Sequence, residues 1–357
     1  MNRRVIARCK TRDHPFVPVV ISSRCHMRLL GPNCRKKAKN AELGVSNEAV
    51  IDVRRVSKSF ERGTRVLDDV SFSVGCREMV ALIGASGSGK STLIRALAGL
   101  VAVDKTGVAQ ARAGTIAIFG RPIQRDGRIA RGAKELRVRV GIIFQQFNLV
   151  PRLSVLTNVC LGLLGRMPFL RGTLSNFTLD EKRAAMHALA RVGMTEHALK
   201  RGVELSGGQQ QRAAIARTLV QGAELVIADE PIASLDPASA RRVMDILADM
   251  NRKDGITILV SLHQVEYALT YCPRAIALKA GKIVYDGPCD QLTPALLSHI
   301  YGAECSEFFP PSFDRPGLAR DRHEGEPAKL RVASKESKER SVAGHVAQTG
   351  SADRLSA

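Results

Sequence analysis

Gly84-Ala85-Ser86-Gly87-Ser88-Gly89-Lys90-Ser91 decides how this chain is read. A glycine, four free positions and then Gly-Lys-Ser is a phosphate-loop pattern, and both flanks suit it. Met79–Ile83 precedes it, a short apolar run of the kind that forms a fully buried strand. Leu93, Ile94 and Leu97 follow at helical spacing. In such a strand–turn–helix unit the glycines let the backbone curl so that its N–H groups converge on phosphate oxygens. The helix N-terminus adds positive potential. Lys90 is expected to reach the β and γ phosphates and Ser91 Oγ to ligate Mg²⁺, with Thr92 closing the nucleotide-binding stretch.

Two further motifs lie downstream. Leu225–Ala228 is a second buried-strand pattern, and it ends in Asp229-Glu230, at the edge where open α/β sheets place ligands. One carboxylate there suits Mg²⁺ and the other suits polarising an attacking water. Leu205-Ser206-Gly207-Gly208-Gln209-Gln210 then opens a long helix. Ser206 with Gln209 three residues on reads as a capping box, and the same helix start reads as a second anion cradle. Two facing chains, each donating one cradle to the other's nucleotide, would sandwich ATP at a dimer interface.

Strand patterns are expected at Val50–Val53, Val66–Val74, Thr115–Phe119, Val140–Phe144 and Ile256–Val260, with a hairpin of Ala275–Leu278 and Lys282–Tyr285 around Lys279-Ala280-Gly281. Helices are expected over Thr178–Val192, over Gln209–Gln221, and after Asp236-Pro237, where Asp236 caps the start and Val243, Ile246, Leu247 and Met250 form an apolar face. Alternating strands and helices indicate an α/β core with a mainly parallel sheet, and the early strand pairs indicate an antiparallel layer beside it.

The 357 residues allow about two domains, or one large domain with appendages, and the 45% hydrophobic share is ordinary for a globular chain. No apolar run reaches the roughly 18 residues of a membrane span. The net charge of +20 divides unevenly, with +9 in residues 1–47, +11 in 48–302 and 0 in 303–357. A basic balance suits polyanions: phosphates, anionic lipid or nucleic acid. Residues 1–47 lack a sustained apolar period, contain Met27 as an alternative start, and are expected to be a flexible basic extension. Residues 303–357, with Pro310-Pro311 and mixed charge, are expected to be a disordered tail. Eight cysteines form no CxxC pair, and Cys9, His14, Cys25, His26 and Cys34 match no zinc spacing, so reduced cytosolic thiols are expected.

With these motifs in order over residues 48–302, the chain resembles the ATP-binding-cassette transporter ATPases. The resemblance implies a P-loop NTPase fold with a mainly parallel core sheet, an antiparallel β layer and a helical signature subdomain at about 146–222. It implies that Phe60 stacks on adenine and that Gln145 approaches Mg²⁺ and the attacking water. Ser206, Gly207, Gly208 and Gln209 match the signature motif, Asp229 the metal-linked aspartate, Glu230 the catalytic glutamate and Asp236 the end of the D-loop. His263, 33 residues beyond Glu230, matches the switch histidine that contacts the γ-phosphate.

A closer resemblance is to the ATPase subunits of phosphonate importers. It rests on Phe144–Val150 with Arg152–Val155, Gly120–Arg128 leading to Arg131, Ala190–Met194, Pro231–Pro237, and Leu262–Val265 with Tyr267–Leu269. Ala85 stands where proline is common in this loop, and Arg77 where glycine is usual. The implied function is ATP hydrolysis that energises uptake of phosphonates or related organophosphorus anions. Phosphate, amino-acid and organic-cation import are the alternatives. The implied partners are a second ATPase subunit, transmembrane permease subunits and a periplasmic or lipid-anchored substrate-binding protein, with the chain peripheral on the cytoplasmic face of the inner membrane. A DNA-repair or chromosome-organising ATPase would carry long coiled coils between phosphate loop and signature. Lys90 and Ser206 are only 116 residues apart without heptads, so no nucleic-acid partner is expected.

Overall fold

Met79–Ile83 (β3) is buried at every position because it has a strand on each side and a layer on each face. In the computed structural model, which describes residues 49–60, 63–105 and 113–302, β3 pairs in parallel with β9 (Thr257–Leu262) and β10 (Arg274–Lys279). The six-stranded sheet runs β11-β10-β3-β9-β8-β7, with β7 Val140–Ile143, β8 Leu225–Ala228 and β11 Lys282–Pro288. Only the β10–β11 pair is antiparallel, which makes it the expected hairpin. A second sheet, wholly antiparallel, has the order β2-β1-β4-β5-β6: β1 Ile51–Ser59, β2 Arg65–Val74, β4 Thr115–Ile118, β5 Arg121–Arg125 and β6 Arg128–Ile129. The expected extensions, 1–47 and 303–357, lie outside the described residues.

Alternation along the parallel strands assigns the two faces. Val80, Leu82, Leu225, Ile227 and Leu259 join one core with Val53, Val56 and Ile116 of the antiparallel sheet and with Leu93, Ile94 and Leu97 of the helix Lys90–Leu97. Met79, Ala81, Ile83, Val226, Ala228 and Val260 face a second core, which is covered by the helices Gly207–Gln221 and Pro237–Asp254. Each fully buried aliphatic side chain contributes about 2 kcal/mol, so the two-sided burial of β3 alone outweighs any local preference of its residues. Helices Val155–Cys160, Leu179–Arg191 and Gly207–Gln221 pack against one another, and Ala185, Ala188, Ala213 and Ala216 keep their backbones close. Among the described residues no helix is long and apolar enough to cross a membrane.

A buried carboxamide ties the two layers together. Gln124 Nε2 donates to the carbonyls of Ala96 (2.6 Å) and Val101 (3.2 Å), while its Oε1 accepts the Val103 N–H (2.9 Å). A fully satisfied buried amide of this kind fixes position without an unpaired-polar penalty. It anchors the far end of the phosphate-loop helix to the antiparallel sheet.

Candidate functional site

The loop Gly84–Gly89 leaves β3 at its C-terminal end and runs straight into the helix Lys90–Leu97. Three of its glycines have positive φ: 150° at Gly84, 73° at Gly87 and 108° at Gly89. At Gly84 space is decisive as well, because a Cβ would sit 2.2 Å from the Leu278 carbonyl oxygen. Ser86 and Gly87 face outward, whereas Ser88, Gly89 and Lys90 are buried. Ser88 Oγ is buried without a hydrogen-bond partner, an unspent hydroxyl in a loop otherwise built of N–H donors. The Lys90 ammonium donates to the carbonyls of Gly84 (2.6 Å) and Ala85 (3.0 Å), which holds it over the loop.

The strand ends beside the loop supply the carboxylates. Ser91 Oγ donates to Asp229 Oδ1 at 3.1 Å, joining the start of the phosphate-loop helix to the end of β8. Asp229 is buried, and its N–H donates to the Ile143 carbonyl at 2.7 Å. Ser261, fully buried on β9, donates to the same Oδ1 at 3.0 Å and accepts the Glu230 N–H at 2.8 Å. Glu230 holds a φ of 47°, a left-handed conformation that costs a non-glycine residue about 1–2 kcal/mol. The Ser261 hydrogen bond is one of the forces that keep it there. Glu230 and His263 line one cleft of about 270 Å³ together with Ser261 and Gln264. The Ser91 hydroxyl and the Asp229 carboxylate are hard oxygen donors, the kind Mg²⁺ takes together with substrate phosphates. Among the described residues no group of three or more His, Cys, Asp and Glu is placed to hold a metal by itself.

The remaining expected residues lie elsewhere. Gln145 is exposed just after β7 and lines a second groove with Phe147, Gln210 and Ser234. Arg217, on the helix Gly207–Gln221, donates to the carbonyls of Asn148 (2.7 Å) and Phe147 (3.5 Å), so that helix grips the segment after Gln145. Burial pushes the Arg217 guanidinium below its ordinary value. Ser206 and Gln209 form the capping box, with Gln209 N–H to Ser206 Oγ at 3.4 Å and Ser206 N–H to Gln209 Oε1 at 2.9 Å. Gln209 Nε2 also meets His197 Nε2 at 3.1 Å. Gly207 abuts Phe147 and Leu235, and Gly208 lies so close to Ser239 that a Cβ would come within 2.6 Å of its Oγ. These neighbours belong to the segment after β7, to Leu235 and to the start of the helix Pro237–Asp254, not to Gly84–Ser91. Asp236 caps the helix Pro237–Asp254 by accepting the N–H groups of Ala238 (3.1 Å) and Ser239 (2.9 Å). The Ser239 hydroxyl, followed by those N–H groups, holds its carboxyl below the usual carboxylate range. Phe60 is 48% exposed at the end of β1, with the Lys58 ammonium 5.2 Å from its ring centre.

Two residues in contact with the site had no expected role. Ser261 interrupts the apolar run Ile258–Val260 of a fully buried strand whose other polar residue is Thr257, and that interruption was a readable signal. Tyr301, at the end of the helix Pro294–Tyr301, accepts the Gly84 N–H at 3.3 Å and meets the His263 ring edge-on, centroids 6.4 Å apart. Nothing near residue 301 in sequence announces those contacts.

Residues 67–233 match the ABC transporter family model. The phosphonates import ATP-binding protein PhnC of Stutzerimonas stutzeri is 57% identical over 256 residues, 72% of this chain and 91% of that protein. The protein of the same name from Cupriavidus pinatubonensis is 53% identical over 264 residues, 74% of this chain and 92% of its own length. Among solved structures, an ATP-binding cassette captured as a dimer in a post-hydrolysis state with ADP and Pi superposes with a TM-score of 0.57 at 28% identity, covering 67% of this chain and 98% of that one.

Proposed function

The chain belongs to the ABC transporter ATPases, and from that membership we propose that it hydrolyses ATP to drive the import of phosphonates or related organophosphorus anions. The observation that carries the ATPase reading is the convergence of Lys90, Ser91, Asp229, Glu230 and His263 on the C-terminal ends of the adjacent strands β3, β8 and β9. The relatives' shared name carries the substrate class.

In this reading the N–H groups of Gly84–Ser91 bind the triphosphate, and Lys90 exchanges its loop carbonyls for the β and γ phosphate oxygens. Ser91 Oγ and Asp229 would hold Mg²⁺, which would neutralise charge on the phosphates. Glu230 takes a proton from the attacking water, and its backbone is pinned for that task by Ser261. His263, across the same cleft, contacts the γ-phosphate. Phe60 stacks on the base. Ser206–Gln209 complete the nucleotide site of a second subunit, and Asp236, beside them in the turn that Gly207 and Gly208 abut, lies at that same junction. Gln145 senses the nucleotide and passes the change to permease subunits through the groove it shares with Phe147 and Gln210. A substrate-binding protein outside the membrane selects the cargo, and this chain sits peripherally on the cytoplasmic face.

Glu230→Gln tests the chemistry. It removes the base and leaves the phosphate cradle intact, so ATP binding should persist while hydrolysis by the assembled transporter falls about 10²–10³-fold. Undiminished hydrolysis refutes the assignment. For the cargo, the assembled transporter with its binding protein should show ATPase stimulation by a phosphonate and none by inorganic phosphate; the reverse refutes the substrate class.

A further inference from the structure

The phosphate loop is gripped from behind by the last described part of the chain. The Gly281 N–H, in the β10–β11 turn, donates to the Ser88 carbonyl at 3.0 Å, and the Asp68 N–H donates to the Gly281 carbonyl at 2.9 Å. The Leu278 carbonyl lies so close to Gly84 that only glycine fits there. Lys279 Nζ donates to the His299 carbonyl, fastening the final helix to this same turn. That fastening puts Tyr301, 3% exposed, against both the loop and His263.

We propose that Tyr301 is a positioning residue for ATP hydrolysis, its hydroxyl holding the first glycine of the phosphate loop and its ring holding His263. The inference rests on the ATPase reading above. The two contacts have separable consequences. The hydroxyl oxygen satisfies the N–H of Gly84, the residue whose carbonyl also receives the Lys90 ammonium. Losing that acceptor loosens the point where the loop leaves β3, and a loosened anion cradle binds triphosphate less well. The ring offers a T-shaped partner to the imidazole, at 67° between planes. Losing the ring removes one of the contacts that orient the imidazole toward the γ-phosphate, which slows the chemical step without touching the cradle.

The test uses the full chain for nucleotide binding and the assembled transporter for turnover. Tyr301→Phe keeps the ring and removes one oxygen, so it should raise the Kd for ATP about three- to tenfold while kcat stays within twofold. Tyr301→Leu removes both contacts and should add a fall in kcat of about tenfold. In a His263→Ala background, Tyr301→Leu should lower kcat no further, because the ring then has nothing to position. A merely structural tyrosine would move the melting temperature but would split neither Kd from kcat nor its effect by background. The inference is overturned if Tyr301→Phe binds ATP like the parent, or if Tyr301→Leu lowers kcat equally with and without His263. Should Tyr301→Leu fail to fold, Tyr301→Phe alone decides. Should His263→Ala hydrolyse ATP at the parental rate, the role given to His263 fails, while the loop contact is still judged by the affinity of Tyr301→Phe.

Discussion

Ser261→Ala removes one oxygen from the centre of the site, and its cost follows from what that oxygen does. Ser261 Oγ accepts the Glu230 N–H at 2.8 Å and donates to Asp229 Oδ1 at 3.0 Å. The first loss strands a donor on a backbone already held at a φ of 47°. A stranded buried donor costs about 1–3 kcal/mol, and a hydrogen bond to a charged acceptor is worth about 1.5–3 kcal/mol. Asp229 keeps the Ser91 hydroxyl on the same oxygen, which offsets part of the second loss. The sum is about 3 kcal/mol of stability, readable as a lowered urea midpoint. Part of that energy holds Glu230 in its left-handed conformation, so turnover falls as well. If about half the cost appears in the transition state, kcat drops roughly tenfold, since about 1.4 kcal/mol is one decade. ATP affinity should change less than twofold, because the substitution leaves in place the Gly84 and Ala85 carbonyls on which the Lys90 ammonium rests. Ser261→Cys, which keeps the shape with a weaker donor and acceptor, should fall between parent and alanine in both midpoint and kcat. An alanine variant with parental midpoint and parental kcat refutes the argument that Ser261 pins the carboxylate pair.

Lys90→Ala should weaken ATP binding itself, measured by calorimetry, whereas Ser206→Arg should leave binding to the isolated chain intact and abolish hydrolysis by blocking closure of two subunits. Full hydrolysis by Ser206→Arg in demonstrably monomeric protein contradicts a shared site. Arg77 holds a φ of 64°, and its backbone groups, bonded to Thr257 Oγ1 and Asn251 Nδ2, do not depend on its side chain. Arg77→Gly should therefore stabilise by about 1 kcal/mol in urea melts, and destabilisation of that size would show that the packing of Arg77 against Gly255 matters more than its strain.

The central strands were legible in sequence because each is a short apolar run punctuated by a chemical motif. β3 ends in the phosphate loop, β8 in Asp229-Glu230, and β9 within two residues of His263. β5 was not legible as a strand. Arg121-Pro-Ile-Gln-Arg125 carries two arginines and a proline, and its pairing with β4 is what makes it one. The role of Gln124 was hidden for the same reason, since its three backbone partners lie more than 20 residues away. The candidate site residues could be picked out because their motifs adjoin buried-strand patterns: paired acids after Leu225–Ala228, a lysine closing a glycine-rich turn after Met79–Ile83. Tyr301 could not, because a tyrosine ending an apolar helix is ordinary until its hydroxyl is seen on Gly84, 217 residues earlier.

The strand order also bears on how the protein is made. β3 is the first strand of the parallel sheet to leave the ribosome, yet its partners come late: Met79 pairs with Ile258, and Val80 with Arg274. At roughly 5–20 residues per second, the 179 residues added after Met79 up to Ile258 take about 10–35 s to synthesise. For that interval Met-Val-Ala-Leu-Ile has both edges unpaired and no charge to discourage association, the composition that favours β-aggregation. Yield of soluble chain is therefore expected to respond to translation speed and to the supply of holding chaperones as well as to the stability of the finished fold.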